Sequence, residues 1–269
     1  MKAERLHAVE AAFAQPLTEE LLACAGVAPG MRVLVLGNAL ADLTLLVSER
    51  VGHCGEVVAA HADRRVIADA RRRASYEGFG RIDFRTESLE RINEDRTFDA
   101  VIGRFFLMHE ADPVRAIRLA AGTVREDGRI VFQEWHYDSI LWAETSDWPN
   151  VPLYRRFAKW SIEGLRRRNA RVNMGLQLVN AFVEAGLPLP MVRTDMRVVH
   201  GAGALGYAFF EAELRDLLPT LEACGIIGAQ DLDIDTFAQR LECETIAAGG
   251  HVFLPLLVGA WSRVPSVGV

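Results

Sequence analysis

MRVLVLGNALADLTLLVSERV, residues 31–51, decides the fold. An apolar, β-branched run (Val33, Leu34, Val35, Leu36) meets Gly37, and a helical pattern starts at about Ala41. Strand, tight glycine turn and helix make the opening βα unit of a nucleotide-binding α/β sheet. In such units backbone N–H groups at the turn and the helix N-terminus receive a ligand, and glycine permits its close approach. This turn keeps one glycine. Ala39 and Ala41 stand where others are expected.

The alternation continues downstream. Val57–His61 reads as a second buried strand with a helix over 63–76, and Ile82–Arg85 as a short third strand. Phe98–Gly103 reads as a fourth strand with a helix over 113–124, and Asp127-Gly128 turns the chain into a fifth, Arg129–Trp135. Strands and helices at this spacing give right-handed crossovers and a parallel sheet covered on both faces. Upstream, helices over 3–13 and 17–25 are expected to break at Pro16. After Trp135 the pattern changes to a polar, aromatic segment over 136–175 with a helix over 152–168, and a helix over 176–185 follows. A strand over 190–200, helices over 205–223 and 234–248, and a final strand over 251–261 complete the chain. The reading divides it into N-terminal helices (1–30), a Rossmann-like core (31–135), and lid helices with completing strands (136–269).

Composition narrows the function classes. Half of the 269 residues are hydrophobic and a quarter charged, as in ordinary globular proteins. A net charge of −6 argues against a nucleic-acid partner, which needs a basic face. The apolar run from Val252 to Trp261 is too short for a membrane span and contains Pro255. Cys24, Cys54, Cys224 and Cys243 lack metal spacing and read as free thiols of a cytoplasmic protein.

The segments MRVLVLG, GEVVAAHAD, FDAVIGRFFLMHEADPVRAIRLA and GRIVFQEW follow one another in the order and spacing of the class I S-adenosylmethionine (SAM)-dependent methyltransferases. The chain resembles that family over nearly its whole length, most of all the ubiquinone/menaquinone-type small-molecule enzymes. The resemblance implies a Rossmann-like seven-stranded methyltransferase fold of the α/β class, with a helical lid insertion and an antiparallel last strand. It also implies a SAM site, and there the chain departs from the pattern. The family's strand-ending acid and following glycines are replaced by Val35, Asn38, Ala39 and Ala41. The acid that accepts both ribose hydroxyls is replaced by His61, the adenine-facing acid by Ser88, and an acid after the fifth strand by His136. A neutral imidazole has one acceptor nitrogen and cannot replace a carboxylate's two oxygens. If SAM were still bound, Gly37, Asn38, His61 and Ser88 would meet it, with Asp42, Asp63 and Glu87 available to substitute for the lost acids.

Ligands of parallel sheets sit beyond the carboxyl ends of the strands. Arg104 there could polarise a carbonyl, or pair with Asp99 or Glu134. Glu134 and His136, two apart, could form a carboxylate–imidazole pair for proton chemistry, or a satisfied structural pair. His109 could line the pocket or cap a helix. Trp135, Tyr137, Trp142 and Trp160 could shape an aromatic lid over an apolar ligand, or pack an inserted helix. His136-Tyr137-Asp138 has HxD spacing, but not on the scaffold that uses it for iron, and no metal is expected.

The expectation is an enzyme of bacterial secondary metabolism that uses no cofactor and cyclises a bulky apolar small molecule. Arg104, Glu134 and His136 are its catalytic candidates. The alternatives are a SAM-dependent methyltransferase with an atypical pocket, and a non-catalytic protein binding a metabolite or a partner enzyme.

Overall fold

The computed structural model describes residues 2–37, 40–92, 96–144, 150–227 and 232–266. Five strands follow the βα alternation: β1 (Arg32–Gly37), β2 (Glu56–Ala60), β3 (Ile82–Arg85), β4 (Phe98–Arg104) and β5 (Val124–His136). Helices α2 (Leu40–Val51), α3 (Arg64–Tyr76) and α4 (Pro113–Thr123) connect them. With β6 (Met191–Asp195) and β9 (Leu256–Arg263) they form a seven-stranded sheet in the order β3-β2-β1-β4-β5-β9-β6. The pairs β1–β2, β1–β4, β2–β3 and β4–β5 are parallel. Strand order reverses between β1 and β4, the switch point at which such sheets bind ligands. Val33, Leu34, Val35 and Leu36 are all buried, because a central parallel strand is covered on both faces.

The described chain falls into two compact units. One comprises Gln15–Glu134, Met174–Thr194 and Val258–Val269, and carries the body of the sheet with α2–α4 and α6 (Met174–Glu184). The other comprises Met1–Ala14, Trp135–Asn173 and Asp195–Leu257. It carries α5 (Pro152–Arg167), α7 (Leu205–Ala223), α8 (Phe237–Ala247) and a small antiparallel pair, β7 (Val198–Val199) with β8 (Val252–Phe253).

Five elements differ from the sequence reading. The two N-terminal helices are one, α1 (Lys2–Cys24), with Pro16 inside it. A mid-helix proline costs about 3 kcal/mol. Ala11, Ala14, Leu17 and Leu21 form a buried row running through it, and burying each leucine contributes about 1.5–3 kcal/mol. The strand expected over 190–200 is two strands, β6 and β7, in different sheets, and the last strand likewise splits into β8 and β9. Pro255 has no N–H to donate to a ladder, and the break opposite it falls where Leu254 N–H donates to Arg197 O at 3.0 Å. The helix expected over 234–248 starts with a 3-10 turn, Ile234–Thr236, before α8. β5 begins at Val124, earlier than expected, and takes the Asp127-Gly128 turn into the strand as an irregularity, with Asp127 at φ 57°.

Candidate active site

Gly37 ends β1 opposite Arg104 of β4. Its φ is +134°, and a Cβ there would lie 2.0 Å from the Arg104 carbonyl oxygen. The close approach of two central strands therefore demands glycine here without any ligand. Val35, at the place of the family's strand-ending acid, is fully buried and pairs with Ala59 and Ile102. Asn38 lies outside the described residues.

His61 follows β2, and its Nδ1 accepts the Asp63 backbone N–H at 2.9 Å. Burial pushes the imidazole below its ordinary pKa, against the Asp63 hydrogen bond and charge, so the ring is neutral near pH 7. With Nδ1 used as acceptor, the neutral ring carries its proton on Nε2, a donor. Asp63 caps α3, accepting Arg65 N–H at 2.7 Å and pairing with the Arg65 guanidinium at 3.0 Å. Asp42 pairs with Arg73 at 2.7 Å. Ser88 precedes the 3-10 turn Leu89–Arg91. Its hydroxyl helps to hold the Glu90 carboxyl below the ordinary range, after the larger effect of Glu90's own backbone N–H. Two of the three neighbouring acids that could have replaced the lost ones, Asp42 and Asp63, are thus tied to arginines.

The β4 and β5 ends grip a strained turn. Phe105, directly after β4, has φ +54°, which costs a non-glycine residue about 1–3 kcal/mol. Its N–H donates to Gln133 O at 2.9 Å. The carboxylate of Glu134, fully buried, accepts the N–H groups of Phe106 at 2.9 Å, Leu107 at 2.7 Å and Met108 at 3.4 Å. Burial pushes this acid up to about 8, against those three donors. Arg104, 1% exposed, donates from Nη1 to Thr18 Oγ1 at 3.4 Å, and Thr18 donates to Gln133 Oε1 at 2.6 Å. Asp99, the other acid considered for Arg104, instead accepts Arg32 N–H and pairs with Arg125. His109, itself exposed, ends the otherwise buried 3-10 turn Leu107–His109, its N–H donating to Phe106 O.

His136 belongs to the other unit, where its Nδ1 meets the Asn173 carbonyl at 3.2 Å. A carbonyl only accepts, so Nδ1 carries a proton. Glu134 and His136 thus each have main-chain partners, and the paired role read from their spacing is not what their hydrogen bonds record. Trp135 and Tyr137 are buried; Trp135 Nε1 donates to Glu10 Oε1 at 3.3 Å, and the Tyr137 hydroxyl to Glu213 Oε2 at 3.1 Å. Trp142 is 46% exposed, and Trp160 stands under the Arg156 guanidinium, 5.9 Å from the ring centre. Tyr154 and Phe157 of α5 and Phe209 and Phe210 of α7 are buried in this unit as well, the Phe157 and Phe210 centroids 4.7 Å apart. Sequence reasoning passed over α7. Its signal was an acid, Glu213, three and four residues beyond Phe210 and Phe209 and hence on their helical face.

Among the described residues no group of three or more side chains is arranged to hold a metal ion, and no helix is long and apolar enough to cross a membrane. Residues 28–166 match the family model described as a methyltransferase domain. The ubiquinone/menaquinone biosynthesis C-methyltransferase UbiE of Idiomarina loihiensis is 31% identical over 114 residues, 42% of this chain and 45% of that protein. The chain spans about half the length of the curated relatives it matches. In fold it is similar to the YcgJ protein of Bacillus subtilis (TM-score 0.56, 17% identity, 92% of this chain and 97% of that one). It is also similar to the 4+2 cyclase SpnF (TM-score 0.53, 18% identity, 94% and 81%).

Proposed function

Because the chain belongs to the class I SAM-dependent methyltransferase-domain family, we propose that it keeps the family's fold without its cofactor and turns over a bulky apolar molecule by holding it in a reactive shape. One observation carries this reading. The place of the ribose-binding acid holds an imidazole whose acceptor nitrogen is spent on Asp63, while Asp63 itself is spent on Arg65 and the α3 cap. Two ribose hydroxyls need acceptors there, and the residues present do not fit them. Val35 and Ser88 remove two further carboxylates of the family pattern.

Reactions that need no cofactor gain from orientation and from hydrogen bonds to developing charge. Cyclisation and pericyclic ring closure are of that kind, and the fold likeness to SpnF supports them. In this reading Arg104 donates a hydrogen bond to the ligand, and Glu134 positions the 106–108 turn. The family match and the likeness to UbiE favour a second reading, a SAM-dependent small-molecule methyltransferase with an atypical pocket.

Titration of dialysed protein with SAM and with its demethylated product separates the two. The expected result is no heat of binding and an unchanged melting temperature. Binding at a hundredfold the Kd would add about 2.7 kcal/mol. A rise of about 5–10 °C in melting would therefore overturn the proposal and establish the second reading.

A further inference from the structure

A cavity of about 650 Å³ lies between the C-terminal end of α2 and the loop that enters β3, within the unit that carries the sheet. Its size is that of a small-molecule site, about 300–1,000 Å³. The buried Val51 and Val57 and the half-buried Phe79 and Ile82 give it an apolar wall. Val57 and Ile82 pair where β2 and β3 begin, so the cavity stands at the opposite end of the sheet from the switch point. The proposed reaction leaves it unused.

Donors gather at its mouth. The N–H groups of Gly80 and Arg81 make no hydrogen bond among the described residues. The exposed Arg81 side chain forms no ion pair among them, and its Nη1 donates to His53 O at 3.4 Å, so the guanidinium spans the two loops that frame the mouth. Gly80 has no left-handed φ, and nothing lies within 4 Å of a Cβ added there. Neither backbone conformation nor packing requires a glycine at this position, and its bare main chain leaves the mouth open to a ligand. A guanidinium beside two consecutive main-chain N–H groups is a donor set for a carboxylate. Glu49 is the one acid of the lining, and it opposes a second negative charge on the ligand.

We propose that this cavity binds an apolar monocarboxylate, with the carboxylate on Arg81 and the Gly80 and Arg81 main chain and the apolar body against Val51, Val57, Phe79 and Ile82. It is a second ligand site, and it stands whether or not the chain uses SAM.

The probes are 2-naphthoate and 2-naphthamide, alike in shape and differing in charge, titrated calorimetrically into the full chain. Wild-type protein is expected to bind the acid about tenfold more tightly than the amide, because hydrogen bonds to a charged group are the stronger kind. Arg81→Gln, at an exposed position, is expected to bring the acid to the affinity of the amide. Gly80→Trp places an indole in the open mouth and should weaken both probes about tenfold. Unchanged melting temperatures identify both variants as folded, and Arg81→Gln decides alone if Gly80→Trp does not fold. No binding of either probe to the wild type, or equal affinities for the two, overturns the proposal. So does an acid preference that survives Arg81→Gln, or binding that a folded Gly80→Trp leaves untouched, since either puts the naphthoate elsewhere in the protein. SAM titration has no bearing on these outcomes, so the failure of this site and the failure of the proposed function are read separately.

Discussion

Gly37→Ala is expected to destabilise the protein by about 4 kcal/mol or more, lowering its melting temperature by about 10 °C. The added Cβ would sit 2.0 Å from the Arg104 carbonyl oxygen and 3.1 Å from its carbon. These are backbone atoms, so relief requires β1 and β4 to part along the ladder from Val33–Ala100 to Gly37–Arg104. A φ of +134° adds strain for any L side chain. Gly30→Ala is the control: its φ is +85°, and nothing lies within 4 Å of the new Cβ, so it should cost about 1 kcal/mol. Thermal or urea unfolding of both variants reads the difference. A Gly37→Ala protein within 1 kcal/mol of the wild type (~1 kcal/mol being the φ cost alone) would mean that the strand approach does not require this glycine.

Glu134→Leu should cost about 3–5 kcal/mol, since it strands the N–H groups of Phe106, Leu107 and Met108 in a buried turn next to the strained Phe105. Glu134→Gln should cost far less, because the amide reproduces the shape and acceptor of the protonated acid. The pH dependence follows from the same group. Folding raises its pKa to about 8, so the folded state holds a proton that the unfolded chain releases above its ordinary carboxyl range. The stabilisation is complete below that range and is lost as pH rises towards 8, by roughly 1 kcal/mol per pH unit. Burial raises Glu213 to about 8 as well, aided by Glu10 and Asp216 and opposed by Ser161 and Tyr137, and it adds a slope of the same sign. Urea unfolding between pH 5 and 9 (a window set by) should show stability falling with pH, and Glu134→Gln should flatten part of that fall. A slope unchanged in Glu134→Gln would remove Glu134 as its source.

Local pattern made much of the fold legible. The apolar β-branched runs at 33–36, 57–60 and 98–103 became central strands, because a strand buried on both faces admits little else. Asp63 and Asp112 mark the starts of α3 and α4 as side-chain caps, each accepting a backbone N–H of the first turn. Pairing between distant segments was less legible. Apolar runs at 190–200 and 251–261 read as continuous strands, yet each divides between two sheets, since a strand's partner is set by segments far away. Pro16 misled for the opposite reason: its local penalty is real, but the buried row of side chains around it outweighs that penalty.

The sequence by itself determined the order of strands and helices, the net negative charge, and the presence of Val35, His61, Ser88 and His136 where the family resemblance implies acids, since these depend on residue type and near neighbours. Only the tertiary structure decided what each polar group meets. Glu134 received three backbone N–H groups instead of an imidazole partner, and Asp63 was drawn to Arg65. Tyr137 found Glu213, 76 residues away. Hydrogen bonds and desolvation act over a few ångströms of space, whatever the distance along the chain, so the chemistry of a buried acid is settled only when the fold has chosen its neighbours.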